Sequence, residues 1–137
     1  DVMTDTHFAR RDRFGRSVVF LSLISRKHLT PSGKIYGVAV DERSALVVDK
    51  HGIATLVMYG GSGYKTKGAY ILSNIRVTQL EPGKPLIATV HVLHLYEAGQ
   101  TVNLFTKRGQ GHEYDVTVNG TQAPFYSRDP YDAVANP

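Results

Sequence analysis

Apolar residues return at three- and four-residue intervals from Phe14 onward, Phe14, Val18 and Leu21 in one row and Val19 and Leu23 in the next, with basic residues at both ends of the run. This spacing predicts a helix over residues 14–29. Asp5 or Thr6 is expected to cap its start, and Thr30, Pro31, Ser32 and Gly33 to end it. Gly15 costs the helix about 1 kcal/mol of propensity and is expected to admit a neighbouring backbone. Residues 35–40 then form a short unbroken apolar run, the pattern of a strand buried on both faces as in parallel α/β sheets. It stops at Asp41, Glu42 and Arg43, and in open α/β sheets the carboxyl end of such a strand is where sites form.

Further along, the pattern shortens to strand length. Residues 45–48 and 53–58 flank Asp49, Lys50, His51 and Gly52, which predicts a hairpin. Residues 69–72, 75–80, 87–95, 102–105 and 114–118 follow as strands, and residues 130–137 read as irregular. Turn signals lie at residues 81–85 and at Asn119-Gly120, the latter matching a two-residue type I′ hairpin turn. Asn119-Gly120-Thr121 also fits a glycosylation sequon, which the turn explains as well. A parallel strand needs a crossover partner, and the pattern offers none. The chain therefore reads as the second half of an α/β domain over residues 1–60, followed by a β-rich extension over residues 61–137.

Length and composition narrow the classes. At 137 residues, 42% hydrophobic and 20% charged, the chain has the proportions of one ordinary globular domain, able to bury roughly two thirds of its unfolded surface. It contains no cysteine, which excludes a disulfide scaffold, a zinc ribbon and a cysteine nucleophile. No apolar run approaches the roughly 20 residues of a membrane span, so no membrane association is expected. The first residue is Asp1, which predicts that a preceding segment has been removed. The formal charge of +4 is mildly basic; it draws meaning from where the arginines lie.

Four of them, Arg10, Arg11, Arg13 and Arg16, follow His7 within nine residues. Histidine is the usual general base near neutral pH, although one at a helix start is more often structural. Arg13 and Arg16 are neighbours on one helix face. Unless Asp12 and other carboxylates offset them, such a cluster calls for an anionic ligand or an acidic surface, or else forms a plain solvated face. Asp41 and Glu42 supply two carboxylates, either of which could orient His7 as the third member of a hydrolytic triad or pair with Arg43 in a turn. His91 and His94 are three apart on a strand and point to opposite faces, so no metal site is expected, nor any cofactor. His112, Glu113 and Asp115 read as a polar strand edge. Ser62 is the one glycine-embedded serine, but Gly60-Gly61-Ser62-Gly63-Tyr64 lacks the second glycine of a nucleophile elbow. Phosphate contacts by the arginines would suit nucleic acid, yet the aromatic interleaving for single strands is weak.

Asp5-Thr6-His7-Phe8 with Arg11, Arg13, Gly15 and Arg16, followed by Gly37-Val38-Ala39-Val40-Asp41-Glu42-Arg43-Ser44-Ala45, resembles the cyanophycinase group of serine peptidases, relatives of peptidase E. The resemblance covers residues 4–60. It implies a fold like the class I glutamine amidotransferases, a flavodoxin-like sandwich, with a serine on a strand-to-helix elbow upstream of the histidine.

By match of motif, the resemblance gives His7 the general-base position and Glu42 the position that orients it. Thr6, Arg11, Arg13 and Arg16 fall on substrate-binding positions. Thr6 stands where cyanophycin-cleaving members usually carry Gln, and Arg10 and Asp12 replace residues that are commonly Gln and Gly. The expectation is a hydrolase acting on a peptide or isopeptide bond beside an acidic, aspartyl-like group. Its nucleophile would come from the N-terminal half of the same precursor, either cut and retained or simply preceding Asp1. A homo-oligomer is possible. The alternatives are a non-catalytic binding module of the same fold and a basic nucleic-acid-binding protein.

Overall fold

A computed structural model of the chain describes residues 1–61, 63 and 65–132. In chain order the elements are β1 (Val2–Asp5), α1 (Phe14–Arg26), β2 (Tyr36–Val40), β3 (Ser44–Val48), β4 (Ile53–Met58), β5 (Ala69–Gln79), β6 (Ile87–Leu95), β7 (Thr101–Asn103), β8 (Arg108–Gly109) and β9 (His112–Asn119). The fold is mixed α/β, mostly strand, with one helix and two sheets among the described residues. One sheet has the order β1-β2-β5-β6-β9 and the other β3-β4-β7-β8. β1 and β2 are parallel, and the other pairings of the five-stranded sheet are antiparallel.

Two expectations are corrected here. The crossover partner of the buried strand is present: β1 pairs in register with β2, Val2 opposite Tyr36 through Asp5 opposite Ala39, and α1 is the crossover between them. Residue 60 is also no break in packing. β2 lies before it and β5 after it, yet Gly37 to Val40 pair with Leu72 to Ala69 in one sheet.

Each face of β2 meets a different layer. Gly37 and Ala39 turn toward α1, where a Cβ on Gly37 would touch Leu21 and Leu72. Phe14, Val18 and Leu21 of α1 join Tyr70, Leu72, Val90, Val92 and Val116 in a core on that side. Val38 and Val40 pack on the other side against Leu56, Ile71, Leu93 and Val102, the core between the two sheets. This is the two-sided burial that the apolar run predicts. The strands expected at 69–72 and 75–80 are one strand, β5, broken by a register shift between Ser73 and Arg76, where Asn74 takes φ +49°. The hairpin at residues 49–52 forms as expected: Asp49 Oδ1 accepts the N–H groups of His51 and Ile53.

The helix start differs from expectation. Neither Asp5 nor Thr6 caps it; the N-cap residue is Arg13, which makes no side-chain cap. The Tyr131 hydroxyl accepts the Phe14 N–H at 2.8 Å and donates to Asp12 Oδ1 at 2.7 Å. Burial, reinforced by Asp12, pushes the Tyr131 phenol above its ordinary range. The group close to Gly15 is the Tyr126 hydroxyl rather than a backbone. Asn119-Gly120 forms no two-residue turn, because β9 is the last strand among the described residues and residues 120–125 make a wider loop. Its closure is shown by the Asn119 N–H on the Phe125 carbonyl and the Ser127 N–H on the Thr117 carbonyl. Of the irregular tail at residues 130–137, 133–137 lie outside the described residues, and within 130–132 the Tyr131 hydroxyl reaches the start of α1.

Candidate functional site

Because β1 and β2 run parallel, their carboxyl ends meet at one edge of the sheet. The segment with His7 leaves β1 there, and Asp41-Glu42 leaves β2 beside it. The Phe8 N–H donates to the Val40 carbonyl at 3.2 Å. Phe8 is fully buried, with its ring 5.1 Å from Tyr70, 5.7 Å from Tyr131 and 6.1 Å from Phe14. This anchor fixes the neighbouring His7, which takes φ +51°. Such a conformation is costly for a residue with a Cβ and is held only by its surroundings. The Arg11 N–H on the His7 carbonyl and the Arg13 N–H on the Phe8 carbonyl close the loop into α1.

Asp41 and Glu42 separate into two roles. Asp41 is buried; Oδ1 accepts the Arg10 N–H and Oδ2 the Lys67 N–H, each at 2.9 Å. It thereby joins the end of β2 to the His7 loop and to the segment entering β5. Sequence reading left the choice between the two carboxylates to the motif, and Asp41's structural part was not visible in it. Glu42 is more open. Its Oε2 lies 3.4 Å from Arg10 Nε. Among the described residues the His7 imidazole makes no hydrogen bond, so the two motif residues share an edge without being joined to each other.

The arginines divide as well. Asp5 Oδ1 accepts from Arg13 at 3.0 Å and from Arg16 at 2.7 Å, while Oδ2 accepts from Arg16 Nε at 3.2 Å and Ser17 at 2.9 Å. Burial works against the charge on Asp5. Hydrogen bonds from Arg16, Ser17, the Thr6 N–H and Arg13 outweigh it and hold its carboxyl below the usual range. Arg13 also donates to the Thr6 carbonyl at 2.8 Å. The offsetting carboxylate anticipated for this cluster is therefore Asp5. Arg11 is exposed, and its guanidinium has no partner among the described residues. Thr6 lies exposed at the mouth of a groove of about 380 Å³ whose apolar wall includes Val2, Val38, Val40, Leu46 and Val48.

Ser62 lies outside the described residues. His91 and His94 take opposite faces, as expected. His91 Nδ1 lies 2.9 Å from Asp115 Oδ1, whereas His94 is buried, stacked on Tyr70 at 4.2 Å, and hydrogen-bonded through Nε2 to the Lys67 carbonyl. Among the described residues no group of three or more His, Asp or Glu is arranged to hold a metal, and no helix is long and apolar enough to cross a membrane. Comparisons of the chain with protein-family models, curated proteins and solved structures found no match.

Proposed function

We propose that this chain is the histidine- and glutamate-bearing part of a cyanophycinase-like serine hydrolase, cleaving a peptide or isopeptide bond beside an acidic group. The observation that carries the reading is the emergence of His7 and Glu42 from the carboxyl ends of two adjacent parallel strands, the edge at which α/β enzymes gather their catalytic groups.

In this reading a serine from the preceding half of the precursor attacks the carbonyl. His7 takes the serine proton and returns it to the leaving amine, and Glu42 turns from Arg10 to hold the imidazole tautomer. Arg11 meets a substrate carboxylate through a charge-assisted hydrogen bond, while Arg13 and Arg16, held by Asp5, set the positive field around it. The full domain would be a flavodoxin-like sandwich in which the other half extends the sheet past β1. The alternation of a parallel ladder leaves Val2 and Thr4 with N–H and C=O groups directed to that open edge.

The test is incubation of the native assembly with a fluorophosphonate, followed by intact-mass measurement. A labelled second polypeptide or preceding segment is expected, with labelling and turnover abolished by His7→Ala and the fold retained. Labelling that persists unchanged in the His7→Ala assembly sinks the triad. The Glu42–Arg10 ion pair favours a second reading, a non-catalytic module in which the same edge binds an anionic peptide. It is the outcome if no serine in the assembly labels.

A further inference from the structure

Along the face of the five-stranded sheet that meets the second sheet, the side chains change character at one level. Ile71 and Leu93 belong to the core between the sheets. Two residues along on the same face stand Ser73 and His91, paired across β5 and β6, with Asp115 paired to His91 across β9. Three polar residues thus form a row in register over three strands. With the turn between β7 and β8 they form a cleft of about 640 Å³, lined by Ser73, Asn74, His91, Lys107, Arg108 and Glu113, a volume in the range of small-molecule sites.

Several polar groups of this cleft are left over by the fold. Ser73 is only 6% exposed, yet among the described residues its hydroxyl has no hydrogen-bond partner, and the residue lines the cleft. Asp115 accepts from Arg76 at 2.8 Å, and hydrogen bonds from Arg76 and His91 hold its carboxyl below the usual range. It is therefore ionised, and His91 Nδ1, 2.9 Å away, donates to it. Nε2 of the neutral ring is then an acceptor, and it faces a second acceptor, Glu113 Oε2, at 3.6 Å. One ammonium group between them satisfies both. On the other wall Lys107 and Arg108 have no carboxylate partner among the described residues; Lys107 Nζ donates to the Phe105 carbonyl at 3.1 Å and lies 5.0 Å from the Tyr36 ring centre.

We propose that this cleft binds a small zwitterion, a free amino acid or a short peptide, whose ammonium group is accepted by His91 Nε2 and Glu113 and whose carboxylate is held by Arg108 and Lys107. The Ser73 hydroxyl bonds the same molecule from the floor. A simple anion satisfies the two cations and is repelled by Glu113, and a simple cation satisfies Glu113 and is repelled by Lys107 and Arg108. A ligand carrying both charges complements both walls, and its carboxylate gains charge-assisted hydrogen bonds from the guanidinium. Asn74 and Lys107, which line the cleft, are both left-handed, at φ +49° and +58°, a conformation held by its surroundings and often found at ligand clamps. Leu72, next to Ser73, pairs with Gly37, which puts the cleft at the amino end of β2. His7 and Glu42 lie at the carboxyl ends of β1 and β2, so the two sites are separate.

The test follows the amide chemical shifts of the full chain by NMR during titration with each common free amino acid, and with dialanine and trialanine, up to about 10 mM. At least one of these compounds is expected to move the Ser73, Asn74 and Arg108 amides to saturation, and the relative affinities tell a free amino acid from a peptide. N-acetylation or C-terminal amidation of the compound that binds removes one charge and is expected to weaken it about tenfold or more, as are Glu113→Gln and Arg108→Gln. Both residues are exposed, so these variants keep the fold, as circular dichroism checks. Glu42→Gln, which would end turnover in the hydrolase reading, leaves this binding intact. No saturable shift at the cleft with any of these compounds, acetate or methylammonium binding as tightly as the zwitterion, or an affinity unchanged in the folded Glu113→Gln and Arg108→Gln variants overturns the proposal.

Discussion

The Asp41 carboxylate accepts the backbone N–H of Arg10 at 2.9 Å, across 31 residues of chain. This bond ties the His7 loop to the strand that carries Glu42, and the second oxygen, bonded to the Lys67 N–H, ties both to the entry of β5. Asp41→Asn keeps one acceptor and sets an NH₂ group against a backbone donor. Stability is expected to fall by about 1–3 kcal/mol in urea titration. Amide exchange at Arg10 and Lys67 should quicken together, and unchanged exchange at Arg10 would remove Asp41 from this role.

Asp5 plays the corresponding part at the end of β1. Asp5→Ala leaves Arg13, which is half-buried, without its anion and deprives Ser17 of its acceptor. The expected loss is about 2–4 kcal/mol, approaching that for breaking a buried pair because Arg16 is partly solvated. Thermal melts of Asp5→Ala and Arg16→Ala check it, the second variant costing well under half of the first.

Tyr131→Phe removes a hydroxyl that both caps α1 and binds Asp12. The Phe14 N–H then loses its acceptor, at a cost of about 1–2 kcal/mol, similar to deleting a side-chain cap. Tyr126→Phe is the comparison, since the Tyr126 hydroxyl lies at Gly15, one residue further along the helix. If Tyr131→Phe melts with the wild type, the capping role is wrong.

His94 predicts a pH dependence. Burial lowers its pKa, and the Lys67 carbonyl opposes this less strongly. Among the described residues its buried Nδ1 has no partner, so a second ring proton would have no acceptor there. The unfolded chain therefore binds a proton that the native state refuses, and stability falls as pH drops below the ordinary histidine value near 6.5, levelling off below the depressed native value. Asp5 and Asp115, both held low in the folded state, add a separate loss below the ordinary carboxylate range. Urea midpoints measured across pH 7 to 5 should slope for the wild type and flatten for His94→Phe.

Where the periodicity is carried by many residues, the fold was legible. The helix, the buried strand and the β3–β4 hairpin follow from patterns of five or more positions and from turn chemistry in Asp49 and Gly52. β1 was not legible. Val-Met-Thr-Asp is too short to show a period, and it becomes a strand because β2 offers it a ladder. The same holds for the two-residue β8. The His7 and Glu42 motifs were visible as residue types, and their common edge needed the β1–β2 pairing to be seen.

The amino-acid order alone determined the helix and the longer strands, that α1 presents an apolar row to a sheet, and that basic groups crowd around one histidine, because these are local properties of neighbouring side chains. Only the tertiary structure decided which carboxylates serve which cations. Asp5 pairs with Arg13 and Arg16, Asp41 binds backbone, Glu42 meets Arg10, and Tyr131 reaches back 117 residues to the start of α1. Hydrogen bonds and ion pairs act over about 3 Å, and distances of that kind between remote residues exist only once strands have chosen their neighbours.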